Sequence, residues 1–211
     1  MDLRHPDVLE KNQDERFVRR VFLPQEQSLI RKERNPTVIL WVLWAAKEAA
    51  YKLVSQINPL VHSGPLKYLV SLDKPFLQTP WCHYRSGLVE SPDGPVAVSV
   101  MVSPDYVHAF CCQGEKACQG TLHLKVFCLG HHEQQVQSES FNVRRTLCLY
   151  LGRYWQIESR RIGIHRERSV RGLGPPMIYV DETRIQAKVS LSHHGRYGAF
   201  AVFASNIYDF Q

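Results

Sequence analysis

The sequence predicts a mixed α+β fold, and three observations carry that expectation. Asn35-Pro36 opens the stretch TVILWVLWAAKEAAYKL, Thr37 to Leu53, which has the length and apolar content of a buried helix. From Leu66 to about Leu129 the chain is strand-like, with the alternating run VAVSVMV between two Pro-containing turns. Near the C-terminus, Val189, Leu191, Ala199, Ala201 and Phe203 alternate on either side of the polar turn HHGRYG, as a hairpin requires.

Each element has a local reason. Val18, Val21 and Phe22 fall on one helical face and leave Arg16, Arg19 and Arg20 to the other. Asn35 suits an N-cap, and Pro36 suits the first helical position because its missing N–H would be unsatisfied there anyway. Asn58-Pro59 and Ser63-Gly64-Pro65 end the long helix. The strand-rich stretch is punctuated by Ser91-Pro92-Asp93-Gly94-Pro95 and by Ser103-Pro104-Asp105. SESFNVRRTLCLYLGRYW reads as a second helix beginning near Ser138 or Ser140, followed by a strand, a basic loop and a tight turn at Gly172 to Pro176. VSVMVSPDYVHAF and VSLSHHGRYGAF share a hairpin rhythm, so an internal duplication is one reading of them.

Composition narrows the function classes. The chain has 211 residues, 44% hydrophobic and 22% charged, which is ordinary globular usage for one sizeable core or two small lobes. Its longest apolar run is shorter than the roughly 20 residues of a membrane span, and the charged start is no signal peptide, so a cytoplasmic location is expected. Six cysteines are too few for a disulfide scaffold of this size and are expected as thiols. Cys118 and Cys128 are too far apart for the paired ligands of structural zinc, and the adjacent His131 and His132 do not mend the spacing.

The formal net charge of +6 points to anionic partners. Arginine is concentrated between Arg144 and Arg171, which makes a nucleic-acid-binding module one reading. No helix-turn-helix, aromatic RNA-binding signature or zinc-finger spacing accompanies those arginines, so nucleic acid is the less favoured partner. A solvated helix face and a phosphate-binding loop would account for the same residues.

The chemistry-bearing pattern is on the long helix. Glu48 and Lys52 are four apart on one face, with Trp44 four before Glu48 and Trp41 three earlier. By spacing alone this is a carboxylate–ammonium pair on a helix surface. WAAKEAAYK, however, closely resembles the W/F-x-x-K-E-A-x-x-K motif of the 4′-phosphopantetheinyl transferase superfamily. VSLSHHGRYGAFAVF, Val189 to Phe203, resembles that family's V-S-[LI]-[ST]-H strand and hairpin, and Gly174-Pro175-Pro176 stands where the family has a G-[KR]-P turn. At the other end, Arg16, Phe17, Arg20, Val21, Phe22 and Glu26 fit an R-F-x-x-R-[VF]-[FL]-x-x-x-E element. Asp2-Leu3 fits the end of a G-N-D-[VI]-V-D-L opening whose earlier letters have no counterpart, so a truncated start is expected.

The resemblance implies a long helix packed on a small antiparallel sheet, in a single domain over residues 1–211 with a variable β-rich middle at about 66–135. It implies transfer of the phosphopantetheine arm of coenzyme A to a serine of an acyl or peptidyl carrier protein, of the holo-acyl-carrier-protein synthase type used in fatty acid or polyketide biosynthesis. Carried over residue by residue, Glu48 becomes the Mg²⁺ ligand and Lys52 the diphosphate donor, with Asp2 as a second metal ligand. Lys47, Ser192 and His193 become contacts to coenzyme A phosphates, and Arg16 and Arg20 dock an acidic carrier protein. A homo-oligomer is left open, as is a coenzyme A-binding relative without turnover.

Overall fold

The computed structural model describes residues 1–73, 77–79, 82–111, 121–129, 138–169 and 172–204. The chain divides into two compact units, residues 1–115 and 116–211, and each has its own apolar core. Among the described residues no helix is long and apolar enough to cross a membrane.

The first unit begins with a short segment that pairs with a later strand, then three helices: α1 (Glu15–Val21), α2 (Pro24–Lys32) and α3 (Pro36–Ile57). Asp14 caps α1 by accepting from Phe17 N at 2.9 Å, and Asn35 caps α3 by accepting from Val38 N at 3.3 Å. Five strands follow: β1 (Leu69–Leu72), β2 (Leu77–Gln78), β3 (His83–Ser91), β4 (Gly94–Val102) and β5 (Val107–Cys111). They form an antiparallel sheet of order β1-β3-β4-β5, with β2 beside β3. Its Val98, Val100, Val102 and Val107 are buried in one cluster with Leu40, Leu43, Ala46 and Ala50 of α3. The long helix therefore packs on a small antiparallel sheet as expected, and the strand-rich stretch after residue 66 supplies that sheet.

Met1 to Leu3 extend the sheet beyond β5. Asp2 pairs with Tyr106, Val107 N donates to Met1 O at 2.9 Å, and Leu3 N donates to Asp105 O at 2.8 Å. Alternation along a strand then fixes the faces: Leu3 lies in the core shared with α3 and Met1 packs against it, so Asp2 points to the other side.

The second unit opens with β6 (Thr121–Cys128), continues with α4 (Glu139–Trp155), and closes with β7 (Ile162–Ser169), β8 (Gly172–Val180), β9 (Thr183–Arg184), β10 (Ala187–His194) and β11 (Tyr197–Ala204). Ser138 caps α4, as its position in the sequence predicts, accepting from Phe141 N at 3.3 Å. The sheets are β10-β11-β6 and β7-β8-β9, all antiparallel. Gly172 to Pro176 is not the expected tight turn but part of strand β8; the two prolines are accommodated beside a register shift between Arg166 and Arg168. Gly198 lets α4 approach β11 closely, since a Cβ there would stand 2.8 Å from Val143.

The two units repeat one three-stranded frame. In the β4–β5 hairpin Val102 faces Val107, and in the β10–β11 hairpin His193 faces Gly198. Each hairpin carries an edge partner in the same register, Asp2 opposite Tyr106 and Cys128 opposite Tyr197. Even the next backbone bond recurs, from Leu3 N to Asp105 O and from Leu129 N to Arg196 O, both at 2.8 Å. The likeness in hairpin rhythm is thus a likeness of register that includes the edge partner of each hairpin. Cys118, His131 and His132 of the rejected zinc set lie outside the described residues, and Cys128 is exposed on β6.

Candidate functional site

Helix α3 presents three charged side chains in two directions. Lys47 turns inward: its side chain is 2% exposed and its ammonium lies 2.8 Å from Glu26 Oε2 on α2, whose side chain is 1% exposed. It also donates to Pro65 O at 3.0 Å and to Tyr68 O. An ammonium has three N–H donors, and Lys47 places all three inside the unit. Glu26 is equally committed, its Oε1 accepting from Val70 N at 3.0 Å and its Oε2 from Leu23 N at 2.8 Å. Burial pulls the Lys47 pKa down, and the hydrogen bond and charge of Glu26 pull against it. The expectation that Lys47 contacts coenzyme A phosphates is therefore corrected, because its donors are spent tying α3 to α2 and to the start of β1.

Glu48 and Lys52, one helical turn apart on the neighbouring face of α3, are half-buried instead. The Glu48 carboxylate is among the groups that push the Tyr68 hydroxyl up to about 12, after burial, Tyr51 and Asp93. Lys52 lies towards β5: with burial the main cause, its charge helps lower His108 to about 4, and it helps hold the terminal amine near 6 against the opposing pull of Asp2. The aromatic stripe below them is core rather than pocket lining. Trp41 and Trp44 pack on Phe17 of α1 at 6.1 and 6.2 Å, and Trp41 Nε1 donates to Val8 O at 3.1 Å.

Asp2 is 1% exposed and accepts from Arg4 N at 3.0 Å. Alternation along its strand turns Asp2 to the face opposite the α3 core, while its charge and that of Lys52 both act on the terminal amine. Among the described residues no group of three His, Cys, Asp or Glu side chains is gathered to hold a metal. Glu48 still fits a magnesium ion bound mainly by phosphate and water, since Mg²⁺ often takes only one or two protein carboxylates. Arg16 and Arg20 are exposed along α1, and Arg19 is paired with Glu15 at 2.6 Å.

Ser192 and His193 belong to the second unit. Ser192 is half-buried in β10 opposite Ala199, and the exposed His193 holds Glu139 of α4 through Nδ1 at 2.6 Å. Sequence reasoning missed the role of Lys47 and the part Glu26 and Tyr68 play in fixing α3. One signal was readable: Lys47 falls in the stripe Leu40, Leu43, Lys47, Ala50, Val54, where every other member is apolar.

Comparison with curated proteins and with solved structures gave no match. A family model, that of the 4′-phosphopantetheinyl transferase superfamily, matches residues 1–111. That span runs from Met1 through the last strand of the first unit. It holds Asp2, Arg16, Arg20, Lys47, Glu48 and Lys52, and its terminal hairpin is β4–β5 rather than the β10–β11 hairpin that bears Ser192 and His193. The match covers more than half of the chain and coincides with a helix-on-sheet unit whose helix carries the motif's glutamate and second lysine, half-buried, on one face, so this protein belongs to the 4′-phosphopantetheinyl transferase superfamily.

Proposed function

We propose that this chain transfers the 4′-phosphopantetheine arm of coenzyme A to a serine hydroxyl of an acyl or peptidyl carrier protein, releasing 3′,5′-ADP. The observation that carries the reading is the division of labour on α3 inside the family-matched span. Lys47 fixes the helix from within, which leaves Glu48 and Lys52 held one turn apart at its partly open face.

The serine oxygen attacks the β-phosphorus, the bond from that phosphorus to the bridging oxygen breaks, and the departing 3′,5′-ADP keeps the electron pair. The serine proton must leave as the new bond forms. Glu48 would take it, directly or through a water, and a carboxylate held on a rigid helix loses little to reorientation. Lys52 offers a flexible cationic donor to the diphosphate oxygens, where charge builds as the bond breaks. A magnesium ion, when bound, would neutralise diphosphate charge, and Glu48 is the residue that would hold it. Arg16 and Arg20, exposed on α1, offer an acidic carrier protein a basic surface.

A coenzyme A-binding relative without turnover is the second reading. The specific observation in its favour is that Asp2, the family-matched acid of the edge strand, lies on the strand face opposite the core shared with α3. Mass spectrometry of an apo carrier protein incubated with this chain, coenzyme A and Mg²⁺ separates the two. A phosphopantetheine mass increment on the carrier serine supports transfer. Coenzyme A binding with no increment on any carrier supports the second reading. A cytoplasmic location is part of the same proposal.

A further inference from the structure

The second unit contains a pair of like charges that no side chain among the described residues balances. Cys148 of α4 donates through Sγ to Ile162 O of β7 at 3.4 Å, which fixes the helix over that strand. Leu147 and Leu151 of α4 share a core with Ile162 and Ile164. Four residues before Cys148, on the same helical face, stands Arg144; two residues beyond Ile164, on the same strand face, stands Arg166. The apolar seam between helix and strand therefore ends in two guanidinium groups.

Neither is compensated among the described residues. The Nε of Arg144 is out of solvent and has no hydrogen-bond acceptor. Arg166 is an exposed residue whose guanidinium is only partly withdrawn from water; that partial desolvation and the charge of Arg144 hold it below the usual range, with no carboxylate acting the other way. Arg161, elsewhere in the unit, behaves oppositely: its Nε donates to the Asp181 carboxylate at 2.9 and 3.0 Å, and that partner raises its pKa. A buried charged N–H without an acceptor is costly, and two adjacent cations add to the cost. An oxyanion between them would meet both, because the planar guanidinium fork matches phosphate geometry.

We propose that Arg144 and Arg166 form a binding site for the phosphate group of a small molecule, separate in its residues from Glu48 and Lys52. Arg144 Nε–H donates to one phosphate oxygen and the Arg166 fork to the others. The proposal does not depend on the chain being an active transferase, and it is read without magnesium or carrier protein.

The test titrates the whole chain with sodium phosphate, against sodium chloride at matched ionic strength, following thermal unfolding and the arginine Nε–Hε resonances. Adenosine 3′,5′-bisphosphate and a single-stranded oligonucleotide form parallel arms. Expected is a saturable rise in Tm with phosphate or the bisphosphate and a shift of two Nε–Hε signals. The response should weaken by roughly tenfold or more in Arg144→Gln and Arg166→Gln, as loss of a charged hydrogen bond implies, and persist in Arg145→Gln on the exposed face. Response to phosphate alone assigns a free ion, and tighter binding of the bisphosphate assigns a nucleotide; both support the site. Equal effects of chloride and phosphate, or binding of the oligonucleotide alone, would overturn it. Should a variant fail to fold, unmoved Nε–Hε signals in the unaltered protein overturn it equally.

Discussion

Replacing Lys47 by methionine distinguishes a structural lysine from a ligand contact. The substitution keeps an unbranched side chain of similar length while removing the charge and all three donors. Glu26 is then left buried with its two backbone N–H partners, and the carbonyls of Pro65 and Tyr68 lose their donor. Breaking a buried ion pair from one side costs about 3–5 kcal/mol. Spread over a unit of this size, that lowers Tm by more than about 10 °C. Glu26→Gln removes the opposing charge instead and should cost a similar amount, with a pH signature of its own. Burial already lowers the folded-state pKa of Lys47, and losing Glu26 lowers it further. Between the folded and unfolded pKa values the unfolded chain binds more protons, so the variant should recover stability as pH rises through that window. Thermal and urea unfolding followed by circular dichroism measure both effects. If Lys47→Met unfolds within about 1 kcal/mol of the parent while coenzyme A binding collapses, Lys47 is a ligand contact and the structural account is wrong.

Glu48→Gln should keep the parental unfolding curve, since the side chain is half-buried and the amide preserves its size, yet abolish transfer to a carrier protein measured by mass spectrometry; undiminished transfer removes Glu48 from the site. Lys52→Ala should weaken coenzyme A in titration calorimetry by roughly tenfold or more, the scale of one charged hydrogen bond, with little change in Tm. Charge reversal at Arg16 and Arg20 together should raise the KM for carrier protein and leave coenzyme A affinity intact, which stopped assays at varied carrier concentration will read. His123, buried against Tyr150 and Tyr154 with its pKa lowered by that burial, costs stability once it must be protonated. The unfolded chain takes up that proton first, so stability should fall as pH drops below about 6.5, and His123→Phe should flatten the acid limb of a Tm-versus-pH curve.

The long helix, its cap, the α4 cap and both hairpins were legible in the sequence because each is specified locally. Asn35-Pro36 and Ser138 are start signals wherever they occur, and alternation such as VAVSVMV needs no distant partner to be read. Lys47 was not legible from the motif alone, because its burial depends on Glu26, which lies on another helix and becomes its neighbour only after α2 and α3 pack. Asp2 shows the same limit at a sheet edge. Its identity fits a family letter, but the face it occupies follows from pairing with Tyr106 across more than half of the first unit.

The repeated frame explains why two distant hairpins both looked like a family block. What they share is register, and register is set by turn length and by which residues must face a helix, not by the chemistry of the remaining positions. Val98, Val100 and Val102 point under α3; Val189, Leu191 and His193 occupy the matching positions relative to their own turn. The same frame holds an aspartate at the edge in one unit and a cysteine in the other, opposite equivalent tyrosines. A sequence pattern that reports register can thus recur where the chemistry does not. The charged pair on α3 lies within the family-matched unit, whereas Ser192 and His193 stand where that unit has Met101 and Val102. Substituting both, Ser192→Ala with His193→Ala, therefore separates the two contributions to the motif. Coenzyme A affinity within about twofold of the parent would mean that the second hairpin keeps the frame without the ligand contact, whereas a tenfold loss, about 1.4 kcal/mol, would show that phosphate recognition draws on it after all.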